Sequence, residues 1–229
     1  MVRNPVIKNP SNNSLRLIFF GLISFSLSGC VTSRIEEARH TATGISDDEA
    51  IVILTQRQNV DSQTEDTFVN CLDKELGHGL NLHEEREFMD QLFPWFEPAH
   101  APNHADALRE LLNRPGVPER IAETGVRYLV WIDGNTQTID GGGNLSCSVG
   151  AGGAGCFGFQ WWEDDSSYEA AIWDLKTLEH VGTISADAVG TSYLPAVVIP
   201  IPLIARTKNA ACDGMADQLR EFLVADPSD

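Results

Sequence analysis

Residues 125–134 of the chain read GVRYLVWIDG, and this stretch does most to set the fold class. Its centre at 128–132 is a short apolar run with β-branched and aromatic residues, which predicts a buried strand. Residues 50–54, AIVIL, form a second run of the same kind between polar neighbours. Two buried strands need other elements to cover them, so helices packed on a sheet are expected.

The remaining periodic segments give the predicted order of elements. Further strands are predicted at 80–83, 168–175 and 180–190, and a turn at 176–179 joins the last two as a hairpin. Helices are predicted where apolar residues recur on a helical period, at 65–77, 84–93, 105–113, 118–124 and 209–223. The expected class is α/β or α+β, a mixed sheet with helices packed on it in the order β-α-β-α-α-β-β-β-α.

Two short motifs in these elements resemble a known domain. They are the strand pattern GVxYLV at 125–130 and the hairpin turn WDxxT at 173–177. With AIVIL and the closing helix, they resemble the periplasmic α/β domain shared by three groups: the curli secretion-channel lipoprotein, activator lipoproteins of penicillin-binding proteins, and the N-terminal domain of the Tol-system propeller protein. The resemblance covers residues 48–225 and implies a periplasmic domain of this fold.

The first 29 residues predict a signal peptide. Arg3, Lys8 and Arg16 form a basic region, and the apolar run LIFFGLISFSL follows at 17–27. This run suits the apolar region of a signal peptide and is shorter than the roughly 18–20 residues that a membrane-spanning helix needs.

Residues 27–30 read LSGC, which resembles the lipobox of bacterial lipoproteins. The resemblance implies cleavage before Cys30, with lipid on its sulfur and an acyl chain on its nitrogen, so the protein is held by the membrane. A secretory signal with a chance cysteine is the alternative. Val31, where an aspartate would retain a lipoprotein in the inner membrane, favours the outer membrane and a periplasm-facing domain. Residues 30–47 are then the lipidated N-terminus and a polar tether, 48–225 the domain and 226–229 a tail.

Charge and composition limit the partners. The chain has 229 residues, 42% of them hydrophobic, with 16 basic and 33 acidic side chains and a net charge of −17. It has the apolar content for a core, and its negative charge repels phosphate backbones, so no nucleic-acid partner is expected.

Four cysteines remain besides Cys30. An even number in an exported protein suggests disulfides, and four cysteines allow three pairings. Loop length favours Cys147 with Cys156, which leaves Cys71 with Cys212; four free thiols are the alternative. No two cysteines have the spacing of a zinc site.

The glycine-rich segment between Cys147 and Cys156 is predicted to be a flexible or disulfide-closed loop. Residues 150–155 match the GxGxxG pattern, but no helix follows, so a dinucleotide site is not expected. Alternation after the loop places Phe157, Phe159 and Trp161 on one face and Trp162 on the other. They are either core residues or an aromatic rim that contacts a protein partner or a glycan.

Other candidate sites are weaker. His78, His83, His100 and His104 lie close in sequence without the spacing of a metal site, so they are read as solvated or capping residues. The proline-containing apolar stretch 193–205 is either a buried extended crossing or an exposed apolar patch. We find no catalytic pattern and expect no cofactor.

These observations predict a lipid-anchored, non-catalytic binding or adaptor module with an envelope-protein partner. The alternatives are an envelope hydrolase or metal-dependent enzyme that uses the histidine region, and a subunit of a secretion or envelope assembly, which the resemblance to the curli channel allows.

Overall fold

The computed structural model describes residues 30–55, 64–96, 105–150 and 153–224. Segments 1–29 and 226–229, predicted as signal peptide and tail, lie outside these ranges. The strands are β1 Val31–Arg39, β2 Ala50–Thr55, β3 Leu82–His83, β4 Val126–Gly150, β5 Gly153–Asp174 and β6 Glu179–Pro200. The helices are α1 Asp66–Leu76, α2 Glu85–Gln91, α3 Ala105–Leu112, α4 Val117–Ala122 and α5 Thr207–Val224.

The strands form one mixed sheet with the order β1-β6-β5-β4-β2-β3. β2 is parallel to both β3 and β4, and the remaining pairs are antiparallel. This confirms the expected class, helices packed on a mixed sheet. No helix in the described ranges is long and apolar enough to cross a membrane.

Helices cover both faces of the sheet and create two cores. On one face, α1 and α5 pack on alternate residues of β2, β4 and β5, including Ile53, Val130 and Ile172. On the other face, α2, α3 and α4 pack on the intervening residues of the same strands, such as Leu54 of β2 and Trp131 of β4. Strands buried on both faces read as continuous apolar runs, which is why AIVIL and YLVWI stand out in the sequence.

The structure corrects the predicted order in two places. The predicted order counts two helices between β3 and β4, but the structure has three, α2, α3 and α4, which match the three predicted segments 84–93, 105–113 and 118–124. A strand, β1, precedes the first predicted strand and occupies residues assigned to the polar tether.

β1 is paired with β6 along its whole length, from Val31 opposite Gly190 to Arg39 opposite Gly182. Val31 and Ile35 pack against the core, while the charged residues of β1 face solvent. A polar outer face suits an edge strand, because it discourages pairing with other chains. The folded domain therefore starts directly after Cys30.

β4, β5 and β6 are much longer than predicted. Asp164 of β5 lies opposite Gly190 of β6. Beyond this pair, β4, β5 and β6 continue as a three-stranded extension of the sheet. We call this extension the arm and define it as residues 140–150, 153–163 and 191–200. The glycine-rich segment was predicted to be a flexible or disulfide-closed loop. In the structure, residues 141–150 form the end of β4 and residues 153–158 the start of β5, and the disulfide between Cys147 and Cys156 links the two strands.

Two glycines of the arm lie where β4 and β5 approach closely. Gly143 and Gly158 have φ values of +100° and +142°, and a Cβ at either position would overlap a carbonyl oxygen of the opposite strand. Only glycine takes this backbone conformation without strain.

Candidate functional site

The arm is the candidate site because the predicted partner-binding aromatics lie on it, beside Cys30. Cys30 is exposed, with its thiol outside any disulfide. It immediately precedes Val31, which lies opposite Gly190, and Gly190 lies opposite Asp164. Because β1 runs antiparallel to β6, the chain before Val31 points towards the arm. Cys30 is thus placed at the root of the arm.

The aromatic residues of β5 project from both faces of the arm. The ladder between β5 and β6 is regular from Cys156 to Asp164, so side chains alternate and Phe157, Phe159 and Trp161 share a face. Phe157 is 74% exposed and Phe159 46%, so core packing is wrong for these two residues. Trp161 and Trp162 are half-buried.

Two contacts fix the aromatics at the root. The ring of Phe159 stacks on Tyr193 of β6, with 6.0 Å between centroids. On the opposite face, Trp162 donates a hydrogen bond from Nε1 to Asp164, at 3.1 Å. The root is thus an ordered aromatic surface that is partly open to solvent.

The outer half of the arm exposes aliphatic side chains on both faces. Val197, Val198 and Ile199 of β6 are all exposed, as is Val149 of β4. The stretch 193–205 is therefore not a buried crossing but an exposed apolar patch. Its last residues fold back along the edge of β6, where the backbone groups of Leu203 and Tyr193 exchange hydrogen bonds of 2.8 and 2.9 Å.

Both favoured disulfides are present in the structure. Cys147 of β4 lies directly opposite Cys156 of β5, with 4.0 Å between Cα atoms, and the bond links the two strands of the arm. Cys71 of α1 is bonded to Cys212 of α5, 141 residues away. The first bond belongs to the arm, and the second holds together the two helices of one core.

A largely buried polar network joins β4, β5 and the N-terminal ends of α1 and α5 within the domain. Tyr168 of β5 donates a hydrogen bond to Glu65 at 2.6 Å, and the Glu65 carboxylate also accepts one from the backbone N–H of Thr136, at 3.1 Å. The Thr136 hydroxyl contacts Ser166 and Tyr168 at 2.8 Å each, and Ser166 donates to Thr207 of α5.

This network shifts the titration of its members. Burial by itself raises the pKa of Glu65, but the hydrogen bonds, from Tyr168 above all, outweigh it and hold that pKa below its ordinary value. Desolvation, followed by the bond to Glu65, raises the pKa of Tyr168 well above its ordinary value. The network thus holds an ionised carboxylate beside a neutral phenol. No local sequence pattern indicates this network, because its members come from the N-cap of α1, from β4 and β5, and from α5.

The hairpin motif WDxxT has a structural role. Asp174 is 5% exposed, and one of its carboxylate oxygens accepts a hydrogen bond from the backbone N–H of Lys176, at 2.8 Å. The other oxygen accepts one from Arg127 of β4, at 2.7 Å. Arg127 and Lys176 also pair with Glu49. These contacts fix the turn and the start of β4, on the side of the sheet away from the arm.

The histidine region does not assemble a metal site in the described part of the chain. His83 lines a groove of about 420 Å³ with Asp73, Glu84 and Arg86, while His78 is exposed elsewhere; His100 and His104 lie outside the described residues. Among those residues, the group that has three ligand atoms within metal-binding reach is Cys71, Cys212 and Asp213, and its two thiols are used in a disulfide.

Comparisons with known proteins add no family. No protein-family model matches the chain, and no curated protein sequence matches it. Among solved structures, the PelC dodecamer from Paraburkholderia phytofirmans is 13% identical, with a TM-score of 0.38, and the match covers 85% of this chain and 100% of that one. A second structure, of a PelC variant, has 13% identity and a TM-score of 0.37, with 84% and 99% covered. At these TM-scores the similarity supports no conclusion about fold or function, so the chain's own residues carry the assignment.

Proposed function

We propose that the protein is a lipid-anchored module of the cell envelope that acts by binding and uses the arm as its contact surface. The observation that carries the proposal is the position of the lipobox cysteine. Cys30 immediately precedes β1 and lies beside the root of an exposed apolar arm. Lipid at Cys30 therefore holds the arm at the membrane without an intervening linker.

The finer location follows from the same segment. Val31 in place of aspartate favours the outer membrane, with the domain in the periplasm. Two further features agree with this compartment: disulfides are typical of exported proteins, and the acidic body makes a nucleic-acid partner unfavourable.

Metabolic labelling with an alkyne analogue of palmitate tests the anchor. The wild-type chain is expected to incorporate the label, and Cys30→Ser is expected to lose it and accumulate as a larger, uncleaved precursor. The matched control is the double variant Cys147→Ser and Cys156→Ser, which also removes thiols but is expected to keep the label. Normal processing of Cys30→Ser would refute the proposal.

A further inference from the structure

We propose that the arm lies against the lipid surface of the membrane into which Cys30 is anchored. This inference rests on the proposed lipid anchor and names the occupant of the same surface. The proposed lipid is attached to Cys30, one residue before Val31. Val31 pairs with Gly190, which lies at the root of the arm. From Trp162 to the tip at Gly153, β5 continues for nine residues, or about 30 Å at 3.3 Å per residue. The anchor and this length of arm lie at the same end of the sheet.

The distribution of charge marks the same boundary. Residues 141–162 and 190–205 contain no Asp, Glu, Lys, Arg or His, in a chain that has 33 acidic and 16 basic residues. Charges resume at Asp140 and Glu163, which lie opposite each other at the root of the arm. Beyond these two residues the arm is uncharged, so it enters a lipid interface without the cost of desolvating ions.

The order of side chains along the arm fits a membrane surface. Trp161, Trp162 and Tyr193 lie at the root, close to the level of Cys30, where amphipathic rings suit the headgroup region. Phe157 and Val197 lie farther out and are 74% and 76% exposed. On β5 and β6, side chains thus change from amphipathic at the root to apolar farther from the anchor.

Apolar exposure on both faces favours lipid over a protein partner. Phe157 and Val197, which lie opposite each other, project from one face, while Val149 projects from the other. A protein docked on one face of the arm would leave the other apolar face in water, whereas lipid reaches both.

Backbone hydrogen bonding limits how deep the arm can lie. In the described part of the chain, no strand pairs with the outer edge of β4 beyond Ile132. Unpaired N–H and C=O groups are not tolerated in the hydrocarbon core, so the arm of a single copy lies in the boundary between headgroups and acyl chains. Asn144, Ser146 and Ser148, near this edge, provide polar groups for that region.

Tryptophan quenching in vesicles tests the contact. The mature lipidated protein is reconstituted into vesicles of phosphatidylethanolamine and phosphatidylglycerol that carry brominated acyl chains. Trp161 and Trp162 are expected to be quenched, whereas the buried Trp131 and Trp173 are not. The double variant Trp161→Phe and Trp162→Phe should therefore lose most of the quenching. Equal quenching in this variant and the wild type would overturn the inference.

A matched pair of charge substitutions locates the contact. Val197→Glu places a carboxylate on the arm and is expected to reduce the quenching of Trp161 and Trp162. Val224→Glu, at an exposed valine of α5 away from the arm, is expected to leave it unchanged. Both variants keep Cys30, so labelling by the palmitate analogue is expected in each. If the wild-type protein is labelled but Trp161 and Trp162 are not quenched, the lipid contact alone is refuted. If the wild-type protein is not labelled, the anchor is refuted.

Photo-crosslinking in cells separates lipid from protein as the occupant. A probe at Phe157 in the full chain is expected to give no adduct with another protein, because the side chain faces lipid. A discrete protein adduct at this position would overturn the inference and assign the arm to an envelope-protein partner.

Discussion

The disulfide between Cys71 and Cys212 gives the largest stability effect that the structure allows us to calculate. It joins α1 to α5 and closes a loop of 141 residues. On the chain-entropy model, removing such a crosslink from the unfolded chain costs about 5 kcal/mol of folding stability at 25 °C. The bond between Cys147 and Cys156 closes nine residues and gives about 2.6 kcal/mol on the same model.

The two bonds are expected to act on different parts of the molecule. The Cys71–Cys212 bond lies in a core formed by α1, α5 and the sheet, so its loss destabilises the whole domain. The Cys147–Cys156 bond lies on the arm, outside both cores, so its loss is expected to loosen the arm and to affect global unfolding by less than its loop length implies.

Urea unfolding, followed by tryptophan fluorescence with and without reductant, measures the effect. In Cys147→Ala/Cys156→Ala, which retains the core bond, reduction should lower the unfolding free energy by about 5 kcal/mol. With a urea m-value of about 2 kcal/mol/M, the midpoint falls by about 2.5 M. Cys71→Ala/Cys212→Ala, which retains the arm bond, should change much less on reduction. A decrease in unfolding free energy of less than about 1 kcal/mol in the first variant would contradict the stabilisation calculated from loop closure.

Three further predictions concern the glycines of the arm and the polar network of Tyr168 and Glu65. Gly143→Ala is expected to open the arm and increase amide hydrogen exchange there, while Gly150→Ala, with no atom within 4 Å of its added Cβ, is not. Tyr168→Phe removes a hydrogen bond to a carboxylate and should cost about 2 kcal/mol in urea unfolding; Tyr193→Phe, at an exposed tyrosine, should cost less than about 0.5 kcal/mol. Because folding lowers the pKa of Glu65, its ionised form contributes stability that is present above the unfolded-state pKa and is lost as the pH falls through the folded-state pKa. The stability difference between the wild type and Glu65→Gln should therefore shrink below about pH 4.5, and an unchanged difference would contradict the assignment.

The centre of the fold was predictable because strands that are buried on both faces consist of consecutive apolar residues. β2 and the first part of β4 lie between two helical layers, so nearly every residue there is apolar. The closing helix α5 was predictable from Met215, Leu219, Phe222 and Leu223, which recur on one face and are all buried. These elements need no knowledge of distant partners.

β1 was missed for the opposite reason. An edge strand has few apolar residues, and in VTSRIEEAR only Val31 and Ile35 pack on the core. Its partner, β6, is about 150 residues away in sequence, so no local pattern indicates that β1 and β6 pair. The consequence matters for function, because it replaces a flexible tether with a strand that begins at the anchor.

The arm was missed because its composition resembles that of a loop. Glycine is normally depleted in strands, yet Gly143 and Gly158 are needed where β4 and β5 approach closely. The aromatic alternation of Phe157, Phe159 and Trp161 was the one local signal that a strand was present. It predicted which residues share a face, but not that the strand extends beyond the sheet and leaves them exposed.

Mass spectrometry of the N-terminal peptide, from protein purified from membranes, is the direct test of the proposed lipid anchor at Cys30. We expect a chain that begins at Cys30, carries diacylglycerol on its sulfur and an acyl chain on its nitrogen, and continues directly into β1 at Val31. A chain that begins at another residue, or an unmodified Cys30 in membrane-derived protein, would contradict it.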